Sequence, residues 1–330
     1  MRVPPITPAF LLAAMLSAAI PSALADPFGQ DELDWLKTMA FAAQQTDYIG
    51  TFVYQFGNHV ETSRITHLVD SDGEHGRLES LDGSRREFIH NNNQVWCYIG
   101  DRQVSVENRQ GRRRFPALLP QQLLLLSENY QISKAEEVRV AGLHTRAFIF
   151  QPADNLRYTH KMWAHSDSGL LLKAAVLDER GLVIEQYAFT HLTLGGNIDR
   201  TWVVPNKPAP PSHAQHPVFA HPPKIDEAAS ASGWQVDSLP AGFIKTMEIR
   251  RPLSGRKSSV IQMAFSDGLA GISVFIEAMA NNPEARIGLS SRGAMQVYSK
   301  VSGDYLLTVL GEVPPRTVMQ VADSVRYKGQ

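Results

Sequence analysis

Seven prolines fall between Pro205 and Pro223. Proline lacks the backbone donor that a helix interior or a central strand requires, so no sheet runs through this stretch. Its backbone favours extended polyproline II, a semi-rigid spacer. The chain is thereby split into two units, and each must bury a core of its own. The boundaries read as 26–198 for the first unit, 199–232 for the linker and 233–330 for the second. A length of 330 residues agrees with two domains.

Residues 1–25 stand apart from both units. Arg2 is followed by an almost wholly apolar run, Ala9–Ile20, which Pro21 and Ser22 break before Ala23-Leu24-Ala25. This is the layout of a secretory signal peptide, with cleavage expected after Ala25. The apolar run is shorter than the about 20 residues that span a bilayer. The mature chain is therefore expected to be soluble beyond the inner membrane. Cys97 is the one cysteine, so no internal disulfide forms. Its place between Trp96 and Tyr98 in a strand predicts burial. The formal charge of −1 excludes the strongly basic footprint of a nucleic-acid binder.

Repeated short strands with tight turns fill the first unit. "YIGTFVYQF" (48–56) alternates, with Phe52, Tyr54 and Phe56 on one face. Turns at Gly57-Asn58, Asp72-Gly73, Asp82-Gly83 and Asn91–Asn93 separate strands over 60–69, 76–81, 85–90 and 94–99. Further strands are expected over 129–133, 136–141, 144–151, 157–164, 170–178 and 182–194, the last two joined around "DERG". Such a series predicts an antiparallel meander. One helix, 31–45, precedes it, with Leu33, Leu36, Ala40 and Ala43 at helical spacing. The second unit repeats the scheme, with strands over 243–251, 259–266, 271–279, 293–300 and 304–310. It closes with a helix in "PPRTVMQVADSVRY" (314–327), where Val318, Val321, Ala322 and Val325 share a face. The fold class is α+β.

No nucleophile elbow, phosphate loop, dinucleotide fingerprint or cysteine cluster is present, so nothing in the sequence argues for an enzyme or a cofactor. His213, His216 and His221 lie in the proline-rich linker, which offers a metal no rigid geometry. Arg109, Arg112, Arg113 and Arg114 form a basic loop, suited to solvent or to phosphates and acidic partners. The aromatics Phe52, Tyr54, Phe56, Phe88, Trp96 and Tyr98 pack either as ordinary core or as the wall of an apolar cavity. The leucine-rich stretch "FPALLPQQLLLLS" (115–127) favours a cavity, because four consecutive leucines cannot all face one core.

Five stretches carry a resemblance: "WLKTMAFAAQQTDYIGTFVY", "DGSRREFI", "WAHSDSGLLLKAAVLDERGLVIEQYAF", "WQVDSLPAGF" and "FSDGLAGISVF". In this order and spacing they resemble the RseB/MucB family of periplasmic regulators of an envelope-stress sigma factor. The resemblance implies a first unit like the carriers LolA and LolB, a half-barrel of antiparallel strands closed by helices. It implies a smaller antiparallel sheet with a helix for the second. The implied partner is the periplasmic domain of a single-span anti-sigma factor of the MucA/RseA type, shielded from site-1 proteolysis until lipopolysaccharide or another acyl-chain lipid releases the regulator. No enzyme activity and no cofactor are implied.

On that basis acyl chains are expected among Phe52, Tyr54, Phe88, Trp96, Tyr98, Leu118, Leu119, Leu123 and Leu125. Arg85, Arg86, Arg112, Arg113 and Arg114 are expected near phosphates. The partner is expected around Phe265, Leu269, Ile272 and Phe275. Exposed strand edges would also support a homo-oligomer. The rival reading is a periplasmic lipid or lipoprotein carrier, for which the first unit alone would suffice.

Overall fold

The computed structural model describes residues 30–92, 94–100, 102–107, 114–203, 232–252, 259–281 and 285–329. The expected signal peptide, Arg109, Arg112, Arg113 and the linker histidines lie outside these residues. So does most of the proline-rich linker.

Helix α1 (Gln30–Gln45) opens the first unit. It has no internal proline or glycine, and it buries Leu36, Met39, Ala40 and Ala43 against the following sheet. Strands β1 (Tyr48–Phe56), β2 (His59–Asp70), β3 (Gly73–Ser80), β4 (Arg86–Asn91), β5 (Gln94–Ile99) and β6 (Arg102–Glu107) then run as successive antiparallel neighbours. The reversal at Gly57 takes φ +52°, a left-handed value open to glycine at little cost. The short helix α2 (Leu124–Ser127) leads into β7 (Tyr130–Ala135), β8 (Arg139–Val140) and β9 (Leu143–Pro152). Strands β10 (Thr159–His165), β11 (Leu171–Leu177) and β12 (Val183–Leu194) complete the unit.

Twelve strands form one antiparallel sheet, ordered β6-β5-β4-β3-β2-β1-β12-β11-β10-β9-β7, with β8 on β9. The two ends of this order do not pair, so the sheet is not a closed barrel. The expected strand 136–141 shrinks to Arg139–Val140, because its polar residues bury nothing. Among the described residues, α1 and the short α2, which buries Leu126, cover the sheet, and the segment 114–123 adds to the covering without regular structure. Phe115 is its anchor. Its ring is 5.1 Å from both Phe52 and Phe189 and stacks on Tyr187 at 5.4 Å. Residues 200–203, expected in the linker, form a 3-10 turn against β2, β3 and β4 and bury Val203.

The second unit holds β13 (Trp234–Val236), β14 (Ile244–Pro252), β15 (Ser259–Ser266), β16 (Gly271–Ala278), β17 (Gly288–Arg292), β18 (Met295–Ser302), β19 (Tyr305–Gly311), α3 (Pro315–Asp323) and β20 (Val325–Tyr327). Six of these strands pair in the order β14-β15-β16-β19-β18-β17. The expected strand 293–300 is the second arm of the hairpin β17–β18. Helix α3 starts on Pro315, where a missing N–H costs nothing, and packs Val318, Val321 and Ala322 on the sheet. It stops at Asp323. Val325 does not extend the helix but belongs to β20, which pairs with β13.

A buried polar junction joins the units. Arg157 Nε donates to Asp267 Oδ2 at 2.6 Å, and Tyr130 donates its hydroxyl proton to the same oxygen at 3.0 Å. Arg157 also bonds Asp154 and the carbonyl of Ala241. The other oxygen, Asp267 Oδ1, accepts from the backbone N–H groups of Leu269 and Ala270. A second contact lies at the β17–β18 turn, where the Ala294 N–H donates to Glu185 Oε2 at 2.9 Å. Gln296 donates to the Tyr158 hydroxyl at 3.2 Å, and Thr317 to the Leu156 carbonyl at 2.8 Å.

Candidate functional site

A cavity of about 720 Å³ lies where α1, strands β1 to β5, the segment 114–122 and the second unit meet. That size suits a small-molecule or acyl-chain site. Ile65, Leu78, Phe88, Val95 and Leu119 give it apolar walls, and Tyr48, His67, Glu74 and His90 a polar end. Gly242, Ile244, Thr246 and Ser266–Gly268 close it from the second unit.

Strand register explains the wall. Tyr48 pairs with His67, His67 with Gly76, Gly76 with His90 and His90 with Val95. Directly paired residues share a face, so these five form one row across the sheet. Phe88 pairs with Leu78 and Cys97 and so belongs to the same face. Tyr48 stacks on His67 at 4.9 Å. Hydrogen bonding from His67 and then His90 holds the Glu74 carboxyl down at about 2, so it is a carboxylate at any ordinary pH. Arg114 lies over the Phe88 ring at 4.3 Å and is exposed, which leaves a cation at the cavity edge.

The residues expected from the sequence divide accordingly. Phe88, Leu119 and Arg114 line the cavity. Phe52 and Leu123 are buried in the first core, and Leu118 packs beside them. Tyr54 stacks on Tyr187 at 4.5 Å, beneath the β17–β18 turn. Trp96 pairs with Ile89 and Tyr98 with Glu87, which puts both on the sheet face opposite Phe88. A two-residue period makes these faces exclusive, so Phe88 and Trp96 cannot line one wall. Arg85 and Arg86 are exposed and do not line the cavity; Arg85 lies 3.6 Å from Glu87. The Leu125 side chain, with Arg112 and Arg113, lies outside the described residues. Cys97 is buried, as its neighbours imply.

In the second unit, Phe265 and Ile272 are core residues. Leu269 packs against the first unit's core, and Phe275 is half-buried on the face opposite Ile272 and Val274. The cluster of His67, Glu74 and His90 around Gly76 was not singled out from the sequence. Alternation alone places Glu74 and Gly76 on one face, but only the register brings the two histidines to them.

Two adjoining family profiles match this two-unit architecture: the MucB/RseB N-terminal domain over residues 31–207 and the MucB/RseB C-terminal domain over 228–326. The chain belongs to the MucB/RseB family. It is 31% identical over 303 residues to the sigma factor AlgU regulatory protein MucB of Pseudomonas aeruginosa, covering 90% of this chain and 91% of that protein. It is 24% identical over 294 residues to the sigma-E factor regulatory protein RseB of Escherichia coli K12, covering 88% and 89%. Among solved structures, the Pseudomonas aeruginosa MucA/MucB complex matches with a TM-score of 0.70 and 27% identity, over 91% of this chain and all of that one. MucB in complex with MucA(peri) matches with a TM-score of 0.67 and 28% identity, over 90% and 99%. The MucB/RseB relatives are named as regulatory proteins.

Proposed function

We propose that this chain is a periplasmic regulator that binds the periplasmic domain of a membrane anti-sigma factor, shields it from site-1 proteolysis and lets go when a lipid enters the cavity. The match over both units to MucB bound to MucA(peri) carries the reading. Release follows from linkage. A lipid shifts the equilibrium only if it binds the partner-free state better than the complex. The cavity supports such a difference, because its walls come from both units. A ligand that needs a particular separation of Phe88 and Leu119 from Ile244 and Gly268 senses how the units sit. In this reading Arg114 contacts a phosphate and Phe88, Leu78 and Leu119 an acyl chain; that all four line the cavity supports it. Phe52, Tyr54, Leu118 and Leu123 join that surface only if the segment 114–123 lifts. In the second unit, Phe275 remains the candidate for partner contact.

The rival, a lipid or lipoprotein carrier, draws on the same cavity. It is disfavoured because a carrier gains nothing from a second unit that closes the cavity and is locked to the first through Arg157 and Asp267. Calorimetry of the mature chain, 26–330, with the periplasmic domain of its anti-sigma factor tests the reading, repeated with lipopolysaccharide. Tight binding weakened by lipid is expected. Tight binding indifferent to lipid would discard the release step, and no binding by a folded chain would leave the carrier.

A further inference from the structure

At the polar end of the cavity, three potential ligand atoms converge. His67 Nε2 lies 3.1 Å from Glu74 Oε1, and His90 Nε2 lies 3.4 Å from the same oxygen. All three ligand atoms fall within 4.8 Å of one another. Zinc bonds to nitrogen and oxygen of about 2.0–2.1 Å, set tetrahedrally, hold neighbouring ligand atoms roughly 3.3 Å apart. The two spacings to Glu74 Oε1 already match that value, and the third, between the histidines, is at most 4.8 Å.

The tautomer is fixed. His67 Nδ1 lies 2.8 Å from the carbonyl oxygen of Thr46, which can only accept. A proton is therefore on Nδ1, and Nε2 is the nitrogen turned toward the Glu74 carboxylate, 3.1 Å away. That nitrogen and the carboxylate share either a proton or a metal ion, and the Nδ1 support from Thr46 suits both. His90 Nε2 is likewise buried and faces the same Glu74 oxygen at 3.4 Å, a long contact for a hydrogen bond. A ligand histidine whose other nitrogen is held by a backbone carbonyl is the usual outer support of a metal site.

The backbone is shaped for this approach. Gly76 stands between the two histidines in the row, and a Cβ there would come within 2.1 Å of His90 Cε1. The missing side chain is what lets the His90 ring lie over β3. Glu74, two residues earlier on the same face, fills the remaining corner. Asn92 Oδ1 accepts from the Glu74 N–H at 3.0 Å and steadies that end of β3.

We infer that His67, Glu74 and His90 form a binding site for a divalent transition metal of the zinc class on the cavity wall. Two imidazoles and one carboxylate suit such an ion and not magnesium or calcium, which take all-oxygen shells. His67 is shut away, whereas Glu74 and His90 are partly exposed toward the cavity, which supplies the entry path. Three protein ligands leave a fourth position for water or an oxyanion in the cavity. The site stands whether or not the cavity takes lipid.

The test uses the untagged mature chain, stripped with chelator and titrated with zinc chloride by calorimetry, and with cobalt(II) chloride followed by visible absorption. One ion per chain and the intense visible bands of tetrahedral cobalt are expected, with no response to magnesium. Outer supports alone are worth roughly 10–100-fold in affinity, so losing a ligand in Glu74→Gln or His90→Ala should cost at least the upper end of that range. Glu74→Gln keeps the side chain's shape and decides the matter if His90→Ala does not fold by circular dichroism. His216→Ala, in the linker, should change nothing. No zinc uptake by the folded chain overturns the site, as does uptake that survives Glu74→Gln or is lost in His216→Ala.

Discussion

Arg157 of the first unit and Asp267 of the second meet at 2.6 Å with both side chains almost wholly withdrawn from water. The Arg157 guanidinium also lies 5.1 Å from the centre of the Phe243 ring, so the second unit encloses it on two sides. Removing one partner of such a pair strands the other charge, at a cost of about 3–5 kcal/mol. Asp267→Ala should destabilise the chain by that amount in urea titrations. It should also expose the interdomain segments to limited proteolysis before either unit melts. A variant that unfolds at the original midpoint would show that the pair does not tie the units together.

His160 sits beside this junction, with the Tyr130 ring edge-on at 6.4 Å. Burial pushes its imidazole below the usual histidine range, against the weaker upward pull of Asp267 and Glu312. The unfolded chain therefore takes up the proton first as pH falls. The stability His160 contributes is complete above its unfolded value of about 6.5 and is lost as pH drops through the lower folded value. Urea midpoints measured from pH 7.5 downward should fall more steeply for the native chain than for His160→Leu. Parallel curves would remove His160 as the cause.

Phe115 fills the centre of the aromatic group formed by Phe52, Tyr187 and Phe189. Truncating a buried phenylalanine costs about 3–5 kcal/mol through lost transfer energy and the void left behind. Phe115→Ala should lose that much stability in the same titrations, because the sheet that holds the other three rings is too well paired to collapse inward. A loss under about 1 kcal/mol would mean that the segment 114–123 is not seated on the sheet.

Much of this architecture was legible because its signals are local. The alternation of 48–56 gave β1 its two faces, though not which of them is covered, and glycine or asparagine marked the reversals. The stripe from Leu36 to Ala43 gave α1 its buried side. What was missed depends on partners far away in sequence. Val325 continues the spacing of α3, yet Val325–Tyr327 pairs with Trp234–Val236 because that edge lies open beside it. The site divided in the same way. Phe88, Leu119 and Arg114 were foreseen as residue types, but which face of β5 met the cavity depended on a register no single strand displays. Phe265 and Ile272 were foreseen as partner contacts, but they alternate into the core under α3. The meeting of His67 with His90 requires three strands to be aligned, and Gly76 gave no warning of it.

That register supplies a paired test of the lipid reading. Phe88 faces the cavity and stacks under Arg114, whereas Trp96 belongs to the opposite face. Burying a phenylalanine side chain against an acyl chain is worth about 1.5–3 kcal/mol when complete. Phe88→Ala should therefore weaken binding of a fluorescent acyl-chain probe roughly tenfold or more, while Trp96→Ala leaves it unchanged. Both substitutions are on partly exposed strand residues, and circular dichroism with urea midpoints establishes that each variant folds. If Trp96→Ala weakens the probe and Phe88→Ala does not, the lipid lies on the outer face of the sheet. The cavity would then have no part in release. Equal weakening by both would point to a loss of sheet order rather than of contact, since no single extended chain touches both faces of β4 and β5.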